Sequence, residues 1–233
     1  MKLLMILLGA SLAAQAHDVI TTPITWSREI SRIVYQRCAA CHHDGGSAFP
    51  LMTYSDVRPW AEAVKEEVLS RRMPPWGAVK GFGEFRNDRA LTAEQLELIG
   101  SWANGGVPEG DAKDLPALPT DDNVYRTDAP SGGIAVSGEF KLDKPIVVDG
   151  LFPKVATKSV SFQMNAELPD GRVEPLLWLS DYQSRFKHSF LLRTPLELPA
   201  GTIIRGVPSD ATVLLLPLTT NDSPDVLTKS GGE

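Results

Sequence analysis

Residues 38–42, Cys-Ala-Ala-Cys-His, constrain this chain more than any other stretch. Two cysteines three residues apart on one helical turn reach two sites on one edge of a flat macrocycle. The histidine next to them then lies beneath the ring. C-x-x-C-H is the spacing that attaches c-type haem through two thioethers, with the histidine ligating the iron. Cys38 and Cys41 are the only cysteines in the sequence, so no other thiol competes for them. A structural disulfide is the bland alternative. A zinc site lacks its second ligand pair, and a thioredoxin-type redox pair wants a βαβ setting that the flanking residues do not offer. The expected cofactor is one covalent haem c, held by Cys38 and Cys41 with His42 on the iron.

Covalent haem attachment in bacteria takes place after export, and the N-terminus agrees with that. Met1-Lys2 precedes an apolar run from Leu3 to Ala14, which is too short to span a bilayer. Ala14-Gln15-Ala16 supplies a small-x-small cleavage site, so residues 1–16 read as a signal peptide and the mature chain as periplasmic or secreted, without a transmembrane segment. The formal net charge is −6 and the basic residues are dispersed, which argues against nucleic-acid binding.

Periodicity divides the rest. Ser27 is placed to cap a first helix with Ile30, Ile33 and Val34 on one face, ending in the cysteine motif; Asp44-Gly45-Gly46-Ser47 breaks it. A second helix is expected after Ser55, with Trp60, Val64 and Val68 on one face and Pro59 in its first turn. In Arg71-Arg72-Met73-Pro74-Pro75-Trp76, the prolines force Met73 out of helical geometry and stiffen the segment into an extended loop. Met73 is thus the candidate second axial ligand, with Met52 as its competitor. Gly81–Asn87 reads as a loop. Thr92-Ala93-Glu94-Gln95 is a capping box for a third helix carrying Leu96, Ile99 and Trp102, stopped by Gly105-Gly106. Residues 17–112 therefore read as a small all-α haem domain.

Residues 113–130, with Pro116, Pro119 and Pro130, read as a flexible linker that leaves the haem domain free to move. Beyond it the period changes to two. Val160, Phe162, Met164, Ala166 and Leu168 alternate with polar residues, and Pro169-Asp170-Gly171 turns the chain into Arg172–Leu179. Ile134–Leu142, Pro145–Leu151, Arg185–Leu192, Thr202–Val207 and Thr212–Leu218 are further strand candidates. An antiparallel β-sandwich over 131–220 is expected, with a tail at 221–233. The fold class is α + β, an all-α domain preceding a sandwich.

Trp26-Ser27-Arg28-Glu29-Ile30, the cysteine motif, Tyr54-Ser55-Asp56-Val57-Arg58-Pro59-Trp60, Arg71–Trp76 and Asn87-Asp88-Arg89 occur in order. Together they resemble a group of exported bacterial cytochromes in which a class-I-like c-type haem domain precedes a domain related to copper type II, ascorbate-dependent monooxygenases. The resemblance covers about residues 24–112. It implies thioether attachment at Cys38 and Cys41, His42 as proximal ligand and Met73 as distal ligand. Leu177-Trp178-Leu179 through Pro195–Thr202 resembles a strand–turn–strand piece of that family's sandwich, but its copper-binding histidine pairs are missing. After export the chain holds His17, His42, His43 and His188. His188 with Met164 cannot assemble a two-copper site, so the resemblance implies shared fold rather than copper chemistry. His188 is in phase with Phe186, Phe190 and Leu192, as for a half-buried strand residue with one hydrogen bond. His17 as a mature N-terminus would lack the second histidine that a copper chelate needs.

The expected function is a one-electron carrier serving a redox partner protein, with both axial positions filled by His42 and Met73. The alternative is a haem-dependent oxidoreductase, peroxidase-like or the electron-donating half of a monooxygenase-related system, should Met73 leave the iron open. The sandwich reads as a docking or structural module.

Overall fold

Threonine hydroxyls start three of the helical segments between residues 24 and 104. Thr25, in extended backbone, accepts from the Arg28 N–H and opens a five-residue π-helical turn, Trp26–Ile30. That turn runs directly into α1, Ser31–Arg37. Thr53 and Asp56 form a capping box for α2, Tyr54–Val57, and Thr92 and Gln95 form the predicted one for α4, Ala93–Asn104. These features belong to a computed structural model that describes residues 23–119, 130, 132–155 and 159–218. The expected signal peptide, His17, most of the linker and the tail at 221–233 lie outside the described residues.

Two details of the helical half differ from expectation. Ser27 is not the cap; it is fully buried, and its hydroxyl donates to the Glu109 carbonyl at 2.8 Å. The second helix begins at Tyr54 and is interrupted by a 3-10 turn, Arg58–Trp60, before α3, Ala61–Leu69. Pro59 supplies no N–H to the ladder, and the tighter winding shifts the phase of the face. Val68 is buried as expected, but the Trp60 ring stands 48% exposed. Trp26, Ile30, Val57, Val68, Ile99 and Trp102 form the centre of this core, and the Trp102 indole N–H is satisfied by the Pro108 carbonyl at 3.0 Å.

Eight strands come next: β1 Ile134–Val136, β2 Gly138–Lys141, β3 Ile146–Val155, β4 Ser159–Glu167, β5 Val173–Gln183, β6 Phe190–Leu198, β7 Ile203–Val207 and β8 Ala211–Pro217. They form two antiparallel four-stranded sheets, ordered β1-β8-β3-β6 and β2-β7-β4-β5. The sheets share one core, to which the alternating residues Phe162, Met164, Ala166 and Leu168 contribute. Ile134–Leu142 is not a single strand. It breaks at Ser137, and Gly138, at φ +62°, starts a new strand, so that β1 edges one sheet and β2 the other. Nor does a strand cover Arg185–Leu192; the chain turns at 184–186 and is irregular over 187–189, and β6 begins at Phe190.

On the opposite side of the sandwich, β5 and β6 leave two open edges, and residues 76–87 of the helical half cover both. Val79 N–H donates to Trp178 O at 2.8 Å and Ser180 N–H to Gly77 O at 2.9 Å, pairing this segment with β5. Arg86 N–H donates to Leu191 O and Arg193 N–H to Glu84 O, both at 2.8 Å, pairing it with β6. Open strand edges invite aggregation, and here one clasp blunts two of them. Gly77, at φ +74°, begins the clasp where a Cβ would sit 3.0 Å from the Tyr182 ring. Trp76 and Phe85 point into the sandwich core, only 4% and 5% exposed, and contribute roughly 2–3 kcal/mol apiece by burial alone. The sequence assigns these residues to a freely moving domain. The contacts instead tie the two halves together, and the first residues of the expected linker are tied down as well, since the Asp114 carbonyl accepts from Arg32 at 3.2 Å.

Candidate functional site

The end of α1 delivers the cysteine motif. Cys38 N–H still bonds to Val34 O, and the N–H groups of Cys41 and His42 both reach Cys38 O, at 3.1 and 3.0 Å. One turn therefore gathers Cys38, Cys41 and His42. The next loop folds back on them: Ala48 N–H donates to Cys41 O and Leu51 N–H to His42 O, each at 3.0 Å. Gly46 lies so close that a Cβ would stand 2.5 Å from Cys41 O, so no larger residue fits without moving the motif.

His42 is oriented by its Nδ1–H, which donates to the Phe49 carbonyl at 2.8 Å. A carbonyl only accepts, so the proton is on Nδ1 and Nε2 keeps its lone pair for a metal. The Phe49 ring meets the imidazole edge-on at 5.1 Å, and the Trp60 ring lies 5.0 Å from Phe49. Phe49 and Trp60 are 49% and 48% exposed, forming an apolar strip beside the oriented imidazole. Neither ring is placed at the site by any pattern in the sequence; the one local signal is Pro50, which restricts Phe49 to extended backbone. His43 is tied by its Nδ1–H to the Ala39 carbonyl at 2.7 Å.

The two thiols are not joined as a disulfide. Burial pushes the Cys38 thiol up to about 12, with Cys41 adding to the rise and Arg37 opposing it. A thiol–disulfide catalyst needs a lowered pKa; that of Cys38 is raised, which argues against that alternative. Cys38 and Met73 are both half-buried and pack against the same helical core.

Met73 sits just past the end of α3. Arg71, at φ +58°, breaks the helix, and the N–H groups of Arg72 and Met73 both donate to Glu67 O, at 2.9 and 3.2 Å. The Arg72 guanidinium makes a two-pronged bond to the Glu67 carboxylate at 2.9 and 2.8 Å, which holds that carboxyl below its usual range. Met52, the competing ligand, is half-buried, and its carbonyl takes the Tyr35 hydroxyl at 3.0 Å.

His188 is not the half-buried strand residue that the alternation suggested. It is 5% exposed, lies in the irregular stretch between the turn at 184–186 and β6, and donates from Nδ1 to Phe186 O at 2.7 Å. Its ring stacks on Trp76 at 5.0 Å and 15°, and packs on Phe190 at 4.7 Å. Burial pulls its pKa down to about 4; the charge of Arg89 adds to the fall, while the carbonyls of Phe186 and Trp76 oppose it.

Among the described residues, no three His, Cys, Asp or Glu side chains converge as a metal site, and no helix is long and apolar enough to cross a membrane. Comparison with protein-family models, curated proteins and solved structures finds no match.

Proposed function

We propose that this chain is an exported c-type cytochrome, periplasmic or secreted, that passes single electrons to and from a redox partner protein. The helical half is its class-I-like haem domain, and the sandwich is a structural or docking module. The observation that carries this reading is the pairing of the C-x-x-C-H turn with an imidazole already oriented by the Phe49 carbonyl. The residues present fit haem c. Two unbridged thiols share one turn, His42 Nε2 keeps its lone pair, and Phe49 and Trp60 offer an apolar surface to a flat ring. A haem held by imidazole and thioether supplies one-electron transfer with little change of geometry.

The chain's own residues do the rest. Cys38 and Cys41 fix the group covalently. His42, locked by its Nδ1–H bond, would supply an imidazole nitrogen to the iron, and that bond would make the imidazole a stronger donor. Met73 would supply the thioether, in keeping with its place against the core that also holds Cys38. The apolar helical core excludes water and so raises the potential.

The test is to denature the holoprotein and extract it with acidified organic solvent. Haem is expected to stay with the polypeptide; haem that leaves with the solvent overturns covalent attachment. Met73→Ala is expected to lose the weak red-edge band of sulfur-to-ferric-iron charge transfer and to lower the potential. An unchanged spectrum would move the ligand elsewhere, to Met52 first.

A further inference from the structure

Met73 is held from two sides, and one of them is the sandwich. On the N-terminal side its N–H is bonded to Glu67 O at the end of α3. On the C-terminal side only Pro74 and Pro75 separate it from Trp76. Each proline fixes its own φ, so the link transmits displacement rather than absorbing it. The Trp76 ring is 4% exposed and packs between His188, at 5.0 Å, and Phe190, at 4.8 Å. Beyond it, Gly77 O and Val79 N–H are hydrogen-bonded into β5.

We propose that the sandwich sets the position of the Met73 thioether, with Trp76 and His188 as the positioning residues. This rests on the reading that Met73 ligates haem iron. The sandwich is then part of the electron-transfer site. Loosening its grip on Trp76 lets the Met73 segment swing, which weakens the sulfur–iron bond and makes it easier for an added ligand to displace Met73.

The full-length ferric holoprotein tests this by titration with imidazole while the sulfur-to-iron band is monitored. His188→Ala removes the stacking partner of Trp76 and is expected to raise imidazole affinity by roughly tenfold, the scale of one lost aromatic pair. His188→Phe keeps a flat ring at that place and is expected to restore the wild-type affinity and band, which a loss of the imidazole's own chemistry would not allow. Val79→Pro deletes the N–H that pairs with Trp178 O without touching the aromatic cluster, and is expected to act in the same direction as His188→Ala. Wild-type affinity in both His188→Ala and Val79→Pro overturns the proposal. Covalent haem whose band survives Met73→Ala overturns it as well, and assigns the failure to the ligand reading rather than to the clasp.

Discussion

Both cores hide their aromatic rings, with Trp76, Phe85 and Phe190 at most 5% exposed in the sandwich and Trp26 and Trp102 1% exposed in the helical half, but outside the helical core Phe49 and Trp60 stand about half open beside His42. The histidines repeat the contrast. His42 and His188 each donate from Nδ1 to a backbone carbonyl, at 2.8 and 2.7 Å. His188 is then sealed among rings, which pulls its pKa down to about 4, while His42 adjoins the exposed apolar strip. A core filled by its own side chains is finished by folding. Exposed aromatic surface beside an oriented imidazole, outside either core, is suited to be covered by a bound group. The same residue type thus serves packing in one region and, on the proposed reading, ligation in the other, and burial separates the two roles.

The strongest way to break this comparison is to remove the side chain the two regions share. Trp76→Ala takes a large ring out of the sandwich core and cuts the anchor of the clasp, and should cost about 3–5 kcal/mol. Urea unfolding monitored by far-UV circular dichroism is expected to show one transition at a lower midpoint. A loss under about 1 kcal/mol, or a split into two transitions with the helical part unchanged, would mean that the halves stand independently.

Much of this was legible in the sequence where the signal is local. Thr92 and Gln95 declare a capping box, and the alternation from Val160 to Leu168 declares a two-sided strand whose inner residues Phe162, Met164, Ala166 and Leu168 are buried. The cysteine motif carries its own spacing. What was not legible depended on contacts between residues far apart in the chain. Nothing near Trp76 or Phe85 says that their rings fill a core built from residues 136–215, because Trp76 ends a proline-stiffened loop and Phe85 sits in a glycine-containing one. The phase of His188 with Phe190 points to a strand. The turn that removes it from the strand is closed by its own ring on Phe186 O, a bond that no periodicity encodes. Trp60 was assigned to a buried face because the 3-10 turn at Pro59 shifts a phase that was counted at the α-helical period.

A smaller effect sharpens the contrast between the histidines. His188 titrates at about 4 when folded, against an ordinary 6.5, with burial as the first cause. Between those values the unfolded chain binds a proton that the folded chain refuses, so acid favours unfolding in that window. The contribution of neutral His188 is complete above pH 6.5, falls as the pH drops toward 4, and changes no further below it; its full size is at most about 3 kcal/mol. The difference in urea midpoint between wild type and His188→Phe, measured from about pH 7 down to about pH 4, should therefore widen as the pH falls, to the disadvantage of wild type. A constant difference would mean that the His188 ring is solvated on protonation without disturbing Trp76.

The smallest effect asks what holds the clasp on its outer side. Arg86 makes a two-pronged bond to Asp149, at 2.9 and 2.7 Å, and also donates to Leu192 O at 2.6 Å. The guanidinium side chain is 41% exposed and the Asp149 side chain 18%, so water and salt screen the pair. Asp149→Ala should cost only about 1 kcal/mol, because Arg86 keeps a carbonyl partner and an exposed pair is worth little. Added sodium chloride should shrink the gap between wild type and variant in urea. If Asp149→Ala instead cost as much as Trp76→Ala, the clasp would be held by charge. The backbone pairing with β5 and β6 and the burial of two rings predict the opposite order, since neither is screened by salt.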